Sequence, residues 1–458
     1  MSTERQTALD AIYKSFQLSD SKLQEITQHF LDDFSKGLRG DPNGLAMIPA
    51  YVTRIPDGSE RGSFLVLDFE WTAFRVSQIQ LQGKQKFASV DKVFEIAPQL
   101  KSGELSTFVD YLVTSIKSFV EENRLNGTAS NPIPFGVTFP FQLKKTSPSR
   151  SVIAGWSKGF ALRSGVGEDI LKLLEQGLAR KGVYIRGAAI INDTVATTLA
   201  QGYLSNKCAL GAIFGIGTNA AIVENASNIK SLQKSLGGQM FVNTEWGAFG
   251  SGKKIIPTTP YDRKLQRESV RPGFHVYEKL IGWMYLGEIV RNVVTSLIDQ
   301  DILFNGTSTP VLNTSFGLDT YVVAQIDGAA SIQDVKALLV EHLQFQPDTI
   351  SDADAKIIRT IAEQVGTRAA RLSSVGIAAA LIHGGYAKLG GGRSTSGKIT
   401  LAISGELILL YPKFESRVRQ GLDALVGAEV EKDVEFKVIA DPSALGAALA
   451  VYETQNRA

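Results

Sequence analysis

Two strand–turn–strand segments constrain the fold of this chain more than any other feature. The first joins an apolar run at 63–69 to an alternating strand at 74–81, and the second covers 209–223. Apolar runs and alternation of this kind are typical of β-strands on either side of a tight turn. The two segments are about 145 residues apart, and each is followed by further strand-like and helical sequence. We therefore predict a duplicated α/β architecture with a cleft between its two halves.

Composition is ordinary for a soluble protein and excludes several classes. The 458 residues are sufficient for two or three domains, and they are 44% hydrophobic and 21% charged. A net charge of +2 is far from the strongly basic balance that indicates binding to nucleic acid or to a membrane surface. We therefore expect no direct nucleic-acid partner.

The sequence predicts neither a disulfide framework nor a His/Cys metal site, because it contains one cysteine, Cys208, and four scattered histidines. A single cysteine is also compatible with a reducing compartment. We find no apolar run near the roughly 18 residues of a membrane span, and no signal-peptide core near the N-terminus. We expect a cytoplasmic protein without a membrane span, and residence in the nucleus or on the mitochondrial surface stays open. Helical spacing predicts helices over 4–38 and 370–389.

A series of short motifs follows in a fixed order along the chain. They are rich in Asn, Lys, Asp and Glu, the side chains that hydrogen-bond well to sugar hydroxyls. The motifs are 47–52, 134–141, 145–147, 155–160, 191–194, 242–249 and 271–279. Together they resemble the signature of the hexokinase family, of the fungal hexokinase and glucokinase type, over roughly residues 45–450.

This resemblance implies a two-domain α/β fold of the actin/hexokinase, ribonuclease H-like type, with an inter-domain cleft. The large domain is expected to comprise 1–64 and 206–440. The small domain is expected to comprise 65–205 and to include the C-terminal helix at 441–458. A hexose such as glucose would lie in the cleft between them.

By the same resemblance, Asp193 matches the catalytic base, which accepts the proton of a sugar hydroxyl. The residues that match sugar contacts are Ser157, Lys158, Asn192, Asp193, Asn219, Glu245 and Glu278. Two positions depart from the family: Pro140 replaces a sugar-contacting Ser, and His275 stands where Gln is usual. The segment 192–194 also suits a helix N-cap, and that alternative stays open.

The nucleotide side departs further from the family pattern. The residues that match nucleotide contacts are Asp68, Thr72, Arg75, Gly215, Gly217, Thr218, Gly405 and Ser443. In the first hairpin turn, Glu70 and Trp71 replace two glycines, and Glu406 adds a second negative charge after Gly405. A unit charge about 4 Å from a phosphate charge costs roughly 4 kcal/mol at an effective dielectric constant near 20. We therefore predict a weakened nucleotide site.

Three functional hypotheses follow. The first is a hexokinase-like sugar-binding protein with weak or absent ATP-dependent phosphorylation, which acts as a sugar sensor or regulator with a protein partner. The alternative is an active ATP:hexose 6-phosphotransferase with a remodelled nucleotide pocket that uses Mg-ATP. The third is a scaffold that binds neither ligand. We expect no tightly bound metal.

Overall fold

The computed structural model of the chain describes residues 3–156, 160–232, 237–393, 395–439 and 441–457, with Glu4 described by its backbone only. The strands are β1 (Ile48–Pro49), β2 (Arg61–Phe69), β3 (Ala73–Gly83), β4 (Lys86–Glu95), β5 (Ile133–Thr138), β6 (Gln142–Ser147), β7 (Arg150–Gly155), β8 (Ile185–Ile191), β9 (Leu210–Phe214), β10 (Thr218–Asn225), β11 (Gln239–Asn243), β12 (Ile399–Ser404) and β13 (Val434–Val438).

The helices are α1 (Thr3–Phe16), α2 (Asp20–Leu38), α3 (Leu105–Glu122), α4 (Ile170–Arg180), α5 (Asp193–Ser205), α6 (Pro260–Glu268), α7 (Val276–Ile281), α8 (Trp283–Ile298), α9 (Pro310–Asn313), α10 (Thr320–Gly328), α11 (Ile332–Leu343), α12 (Asp352–His383), α13 (Glu406–Leu410), α14 (Phe414–Val426), α15 (Ala428–Glu431) and α16 (Ser443–Gln455). Short 3₁₀ turns include Pro98–Lys101 and Trp246–Ala248.

Two sheets repeat one arrangement. A five-stranded sheet has the order β4-β3-β2-β5-β8, and a six-stranded sheet has the order β1-β11-β10-β9-β12-β13. In each sheet an antiparallel hairpin lies beside a parallel neighbour: β2–β3 beside β5, and β9–β10 beside β12. These hairpins are the two segments singled out in the sequence. The predicted duplicated α/β fold is therefore confirmed.

Two helices fill the space between the sheets. Helix α16 packs on β2, β5 and β8 of the five-stranded sheet, and α5 packs on β9 and β10 of the six-stranded sheet. The two helices also pack on each other, and their apolar residues join residues of both sheets in one buried cluster. Their first residues, Asp193 and Ser443, lie near Asp68 at the end of β2. The two helices that join the halves thus also place predicted site residues at the cleft.

The N-terminal segment predicted as helical over 4–38 consists of two helices. Helix α1 ends at Phe16, and α2 begins at Asp20. The break is stabilised by Ser19, the N-cap of α2, whose hydroxyl accepts from the backbone N–H of Lys22 at 3.2 Å. A serine at this position favours a new helix start because it satisfies a free N–H group.

The apolar segment predicted at 370–389 is the second half of the longer helix α12, which ends at His383. A capping box formed by Ser351 and Asp354 fixes its start. Within the described residues, α12 is the one helix long and apolar enough to cross a membrane, but 83% of its most apolar window is buried inside the protein. We assign α12 to the core that it shares with α2 and α8.

The domain boundaries remain a proposal that the strand pairing refines. The expected boundary at 64/65 falls inside β2, which pairs with β3 from Arg61 onward. We therefore propose that the small domain begins at Arg61. Helix α5, which was expected to belong to the small domain, packs on the sheet of the other half.

The contact between α16 and α5 yields a stability prediction. A Cβ at Gly446 would collide with the backbone of Ala196. We expect Gly446→Ala to lower the free energy of unfolding by about 2 kcal/mol, because overpacking a tight core costs roughly 1–3 kcal/mol. The control is Gly237→Ala, where a Cβ meets no atom within 4 Å and the change should stay below about 1 kcal/mol. Urea unfolding measures both, and equal effects would contradict the prediction.

Candidate active site

Asn192 and Asp193 lie where β8 ends and α5 begins. The Asn192 side chain caps the helix, since its Oδ1 accepts from the backbone N–H of Val195 at 3.1 Å. Asp193 is the first helical residue, and its Oδ1 accepts from the backbone N–H of Thr194 at 2.9 Å. A helix N-terminus favours negative charge at this position. The capping alternative is therefore confirmed for Asn192, and it places the Asp193 carboxylate at the end of the helix.

Asn219, Asn243 and Glu245 form a hydrogen-bonded group, called here the amide–carboxylate network. Asn219 Nδ2 donates to Asn243 Oδ1 at 2.9 Å and to Glu245 Oε1 at 3.0 Å. Asn243 Nδ2 donates to the same Glu245 oxygen at 2.7 Å. The antiparallel pairing of β10 with β11 brings the two amides together. Two amide donors thus fix the orientation of one carboxylate.

Glu245 has an unusual backbone and an unusual carboxyl. Its φ of 53° and ψ of 40° are left-handed, a conformation that few non-glycine residues adopt. Burial raises the pKa of Glu245, and the Asp193 and Glu278 carboxylates raise it further, whereas the Asn243 hydrogen bond and His275 oppose the rise. Strained residues and perturbed carboxyls of this kind concentrate at functional sites.

Glu278 approaches the same group from α7. Its Oε2 accepts from the backbone N–H of Thr218 at 3.1 Å, and its Oε1 lies 3.1 Å from His275 Nδ1. His275 also stacks on Phe274, with ring centroids 4.0 Å apart. The departure at His275 therefore supplies a partner for one of the predicted sugar-contact carboxylates.

Asn192 and Glu245 both line a small cavity whose wall contains residues from both sheets. The cavity also contains Asn243 and Lys145 on its wall and has a volume of about 20 Å³, room for about one water molecule. Ligand pockets usually measure roughly 300–1,000 Å³, so this cavity is too small to be a ligand pocket by itself. It is a space left between the predicted site residues. Two of the predicted sugar residues, Ser157 and Lys158, lie outside the described residues.

On the nucleotide side, Arg75 is held by two carboxylates. Its Nη1 forms an ion pair with Asp441, and its Nη2 lies 3.4 Å from Glu70 Oε1. The register of β2 and β3 places Arg75 opposite Asp68. A guanidinium in this position must exchange part of its carboxylate contacts before it can bind a phosphate.

The first hairpin turn is closed within itself. The backbone N–H of Glu70 donates to the carbonyl of Ala73 at 2.9 Å. The Trp71 ring is 46% exposed, and Lys101 Nζ lies 5.1 Å from its centroid, within range of a cation–π contact. Thr72 is exposed at the same turn. The bulky ring is therefore turned towards Lys101, on the surface of the small domain.

In the turn between β9 and β10, the second hairpin turn, polar groups are hydrogen-bonded to other groups of the protein. The backbone N–H of Gly215 donates to the carbonyl of Gly217 at 2.9 Å. The buried Thr218 hydroxyl donates to the Ile213 carbonyl at 3.0 Å and accepts from the Trp246 indole at 2.9 Å. A nucleotide role for Gly215, Gly217 and Thr218 stays a prediction, and the Thr218 hydroxyl already has two protein partners.

A further carboxylate lies at this second turn. Glu406 is the first residue of α13 and directly follows Gly405. Its carboxylate lies so close to Gly215 that a Cβ there would meet it. Each of the two turns therefore has an acidic side chain beside it, Glu70 at the first and Glu406 at the second.

Asp68 is 3% exposed at the end of β2. Burial raises its pKa to about 8, helped by Glu70 and Asp193 and opposed by Arg75 and by a hydrogen bond with Ser443. Mg²⁺ binds the ionised form of a carboxyl, so binding at Asp68 would first require the loss of a proton that burial favours. Among the described residues, no group of three or more His, Cys, Asp or Glu side chains could hold a metal ion.

Comparison with known proteins identifies the family. Two models described as hexokinase match residues 8–203 and 209–452. The chain belongs to the hexokinase family. Hexokinase-7 of Oryza sativa subsp. japonica is 35% identical over 437 residues, which cover 94% of this chain and 93% of the relative. Hexokinase-1 of Schizosaccharomyces pombe is 31% identical over 450 residues, 97% of this chain and 90% of the relative.

A solved structure confirms the predicted two-domain fold. The hexokinase from Schistosoma mansoni complexed with glucose superposes with a TM-score of 0.86 at 28% identity. The superposition covers 98% of this chain and 99% of that one. The family resemblance and the actin/hexokinase fold class expected from the sequence are thus both confirmed.

Asn243 and Asp441 were not among the predicted site residues, but both lie beside residues that were. Asn243 lies in the 242–249 motif, two residues before Glu245, and this spacing was a usable signal. Asp441 gave no such signal, because its ion pair with Arg75 joins opposite ends of the chain.

The raised pKa of Asp68 predicts a pH-dependent stability. Because the folded-state pKa of about 8 exceeds the ordinary value of 3.8, the folded protein holds an extra proton between these values. Wild-type stability therefore falls as the pH rises through this window. We expect Asp68→Asn to abolish this pH dependence. The free energy of unfolding of the variant, relative to that of the wild type, should therefore rise by up to about 1.4 kcal/mol for each pH unit.

Thermal unfolding of both proteins between pH 4 and pH 8 measures this effect. The exposed Asp110 on α3 provides the control, since Asp110→Asn should follow the wild type at every pH. Parallel curves for Asp68→Asn and wild type would contradict the assigned shift.

Proposed function

We propose that this protein binds a hexose in the cleft between its two halves and transfers phosphate from ATP weakly or not at all. Its role would be that of a sugar-responsive regulator. The observation that carries the proposal is the contrast between the two sides of the cleft. The sugar side keeps an ordered set of amides and carboxylates, while on the nucleotide side the cation Arg75 is paired with Glu70 and Asp441.

Hexose binding is supported by the chemistry of the sugar side. The amide–carboxylate network combines donors and acceptors, which is what a ring of hydroxyls requires. Glu278 and Asp193 add two more carboxylates close to Glu245. The Schistosoma mansoni hexokinase of the same fold carries glucose. We propose Asn192, Asp193, Asn219, Glu245 and Glu278 as the described part of the sugar site, with Ser157 and Lys158 completing it.

Asp193 is proposed as the proton acceptor for a sugar hydroxyl. Its position at the first turn of α5 holds the carboxylate in a fixed direction, because its Oδ1 is bonded to the Thr194 N–H. A carboxylate within hydrogen-bond reach of a hydroxyl can accept its proton during group transfer. This residue also supports the alternative hypothesis of an active kinase, which the experiments below distinguish.

Members of the hexokinase family use Mg-ATP, but the described residues on the nucleotide side fit a polyphosphate poorly. Glu70, Asp441 and Glu406 put negative charge around the two turns, and like charges in such a site repel. Burial raises the pKa of Asp68 and so disfavours its ionised form. The proposal therefore assigns no phosphoryl-transfer step to this side.

A regulator of this kind would signal by closure of the cleft. A ligand shifts such an equilibrium only by its differential affinity for the two states. A hexose that contacts both β8–α5 and β10–β11 favours the closed state without any chemical step. A protein partner would then recognise the closed state.

We expect glucose and Mg-ATP to differ sharply in their affinity for this protein. Calorimetric titration of one purified sample with glucose should show saturable binding, whereas Mg-ATP added to the glucose complex should show no binding at micromolar concentrations. A coupled assay over several hexoses and nucleotides follows turnover. Micromolar ATP binding with rapid turnover would establish the active-kinase alternative, and the absence of any sugar binding would support the scaffold hypothesis.

The charges around Arg75 should control ATP affinity. We expect the double variant Glu70→Gln, Asp441→Asn to bind Mg-ATP about tenfold more tightly, because it releases Arg75 and removes two negative charges. Glu121→Gln is the control, since Glu121 is an exposed acid that pairs with Lys117 on α3. Calorimetry in the presence of glucose measures the affinities. Unchanged affinity in the double variant would show that these two acids do not limit nucleotide binding.

A further inference from the structure

Lys145 occupies a position between the two halves of the molecule that the proposed sugar site does not explain. It lies on β6, in the two-stranded ribbon β6–β7 that leads towards 157–159. Its ammonium donates to the carbonyl of Ala50 at 3.0 Å and also to the carbonyl of Ile190. A lysine with two backbone acceptors on separate segments acts as a cross-link between them.

The two acceptors belong to different sheets. Ile190 is on β8 of the five-stranded sheet, three residues before Asp193. Ala50 directly follows β1, which pairs with β11 of the six-stranded sheet, and its own N–H donates to the Phe241 carbonyl at 2.8 Å. Lys145 therefore joins β8, which Asp193 follows by two residues, to the strand pair β1–β11, which Glu245 follows by two residues.

Lys145 also faces the site itself. It is on the wall of the same cavity as Asn192, Asn243 and Glu245. Burial, and to a smaller extent the positive Arg457, lowers the pKa of Lys145 to about 7. Arg457 pairs with Glu453 on α16, and the cavity wall contributes the Glu245 carboxyl.

We propose that Lys145 is a positioning residue for the sugar site, which holds the β8–α5 junction against the β1–β11 pair and so sets the separation of Asp193 from Glu245. This inference rests on the proposed hexose site. Hydrogen bonds from a charged donor are roughly twice as strong as neutral ones. The cross-link should therefore be strongest when Lys145 is protonated.

Substitution of Lys145 tests the inference. We expect Lys145→Met to bind glucose about tenfold more weakly, as expected when hydrogen bonds from a charged group are lost. Lys145→Gln keeps amide donors without the charge and should recover part of the affinity. The control is Lys144→Met, because Lys144 is the exposed neighbour on the same strand and its loss should leave glucose affinity unchanged.

A pH series separates positioning from a general loss of folding. Glucose affinity is measured by calorimetry from pH 6 to pH 8.5, with thermal unfolding of each sample as a check. The ratio of wild-type to Lys145→Gln affinity should fall severalfold as the pH rises through about 7, the pKa of Lys145. If Lys145→Met does not fold, this comparison alone decides.

The outcomes are distinct for each proposal. Equal glucose affinity of wild type, Lys145→Met and Lys145→Gln, or a ratio that does not change with pH, would overturn the role of Lys145. A wild-type protein that binds no hexose at any pH would instead overturn the proposed function itself.

Discussion

The packing of α5 against α16 is the constraint on which the rest of the structure depends. Each helix lies on a different sheet, so their contact joins the two halves of the molecule. A glycine at the contact, Gly446, allows the backbones to approach closely. Because both helices begin beside Asp68, the same contact sets the distance between the sugar side, at Asp193, and the nucleotide side, at Ser443.

This arrangement explains why the two sides of the cleft can change independently. The sugar side is built on β8, β10 and β11 and is held by side-chain hydrogen bonds among neighbouring strands. The nucleotide side is built on the exposed first turn and on the second turn, where Gly215 and Thr218 are buried. At the exposed first turn a substitution does not disturb a core. Glu70 and Trp71 are exposed and therefore cost little in folding, whereas a change at Asn243 would break the amide–carboxylate network.

Much of this architecture could be predicted from local sequence. Both hairpins follow directly from alternation and apolar runs, and the capping of α5 by Asn192 follows from residue type. The family resemblance predicted Asn219, Glu245 and Glu278 as parts of one site. In the structure Asn219 donates to Glu245, and Glu278 accepts from the backbone of the neighbouring Thr218. What could not be predicted depends on contacts between distant segments. The Asp441–Arg75 ion pair and the Lys145 cross-link each require knowledge of which loops meet in space.

The charge balance of the cleft follows from the same geometry. Asp68, Asp193, Glu245 and Glu278 lie on converging elements. Glu70 and Asp193 make Asp68 harder to ionise, and Asp193 and Glu278 do the same for Glu245. Arg75 offsets part of this charge on one side, and Lys145 and His275 offset part of it on the other. A hexose adds hydroxyl donors and no charge, so the site can accept it without a new counter-ion. A polyphosphate adds several negative charges beside Glu70 and Glu406. Among the described residues, the guanidinium that contacts Glu70 is that of Arg75, and it is already paired with carboxylates. This balance of charges is the basis on which we propose a neutral ligand for the cleft.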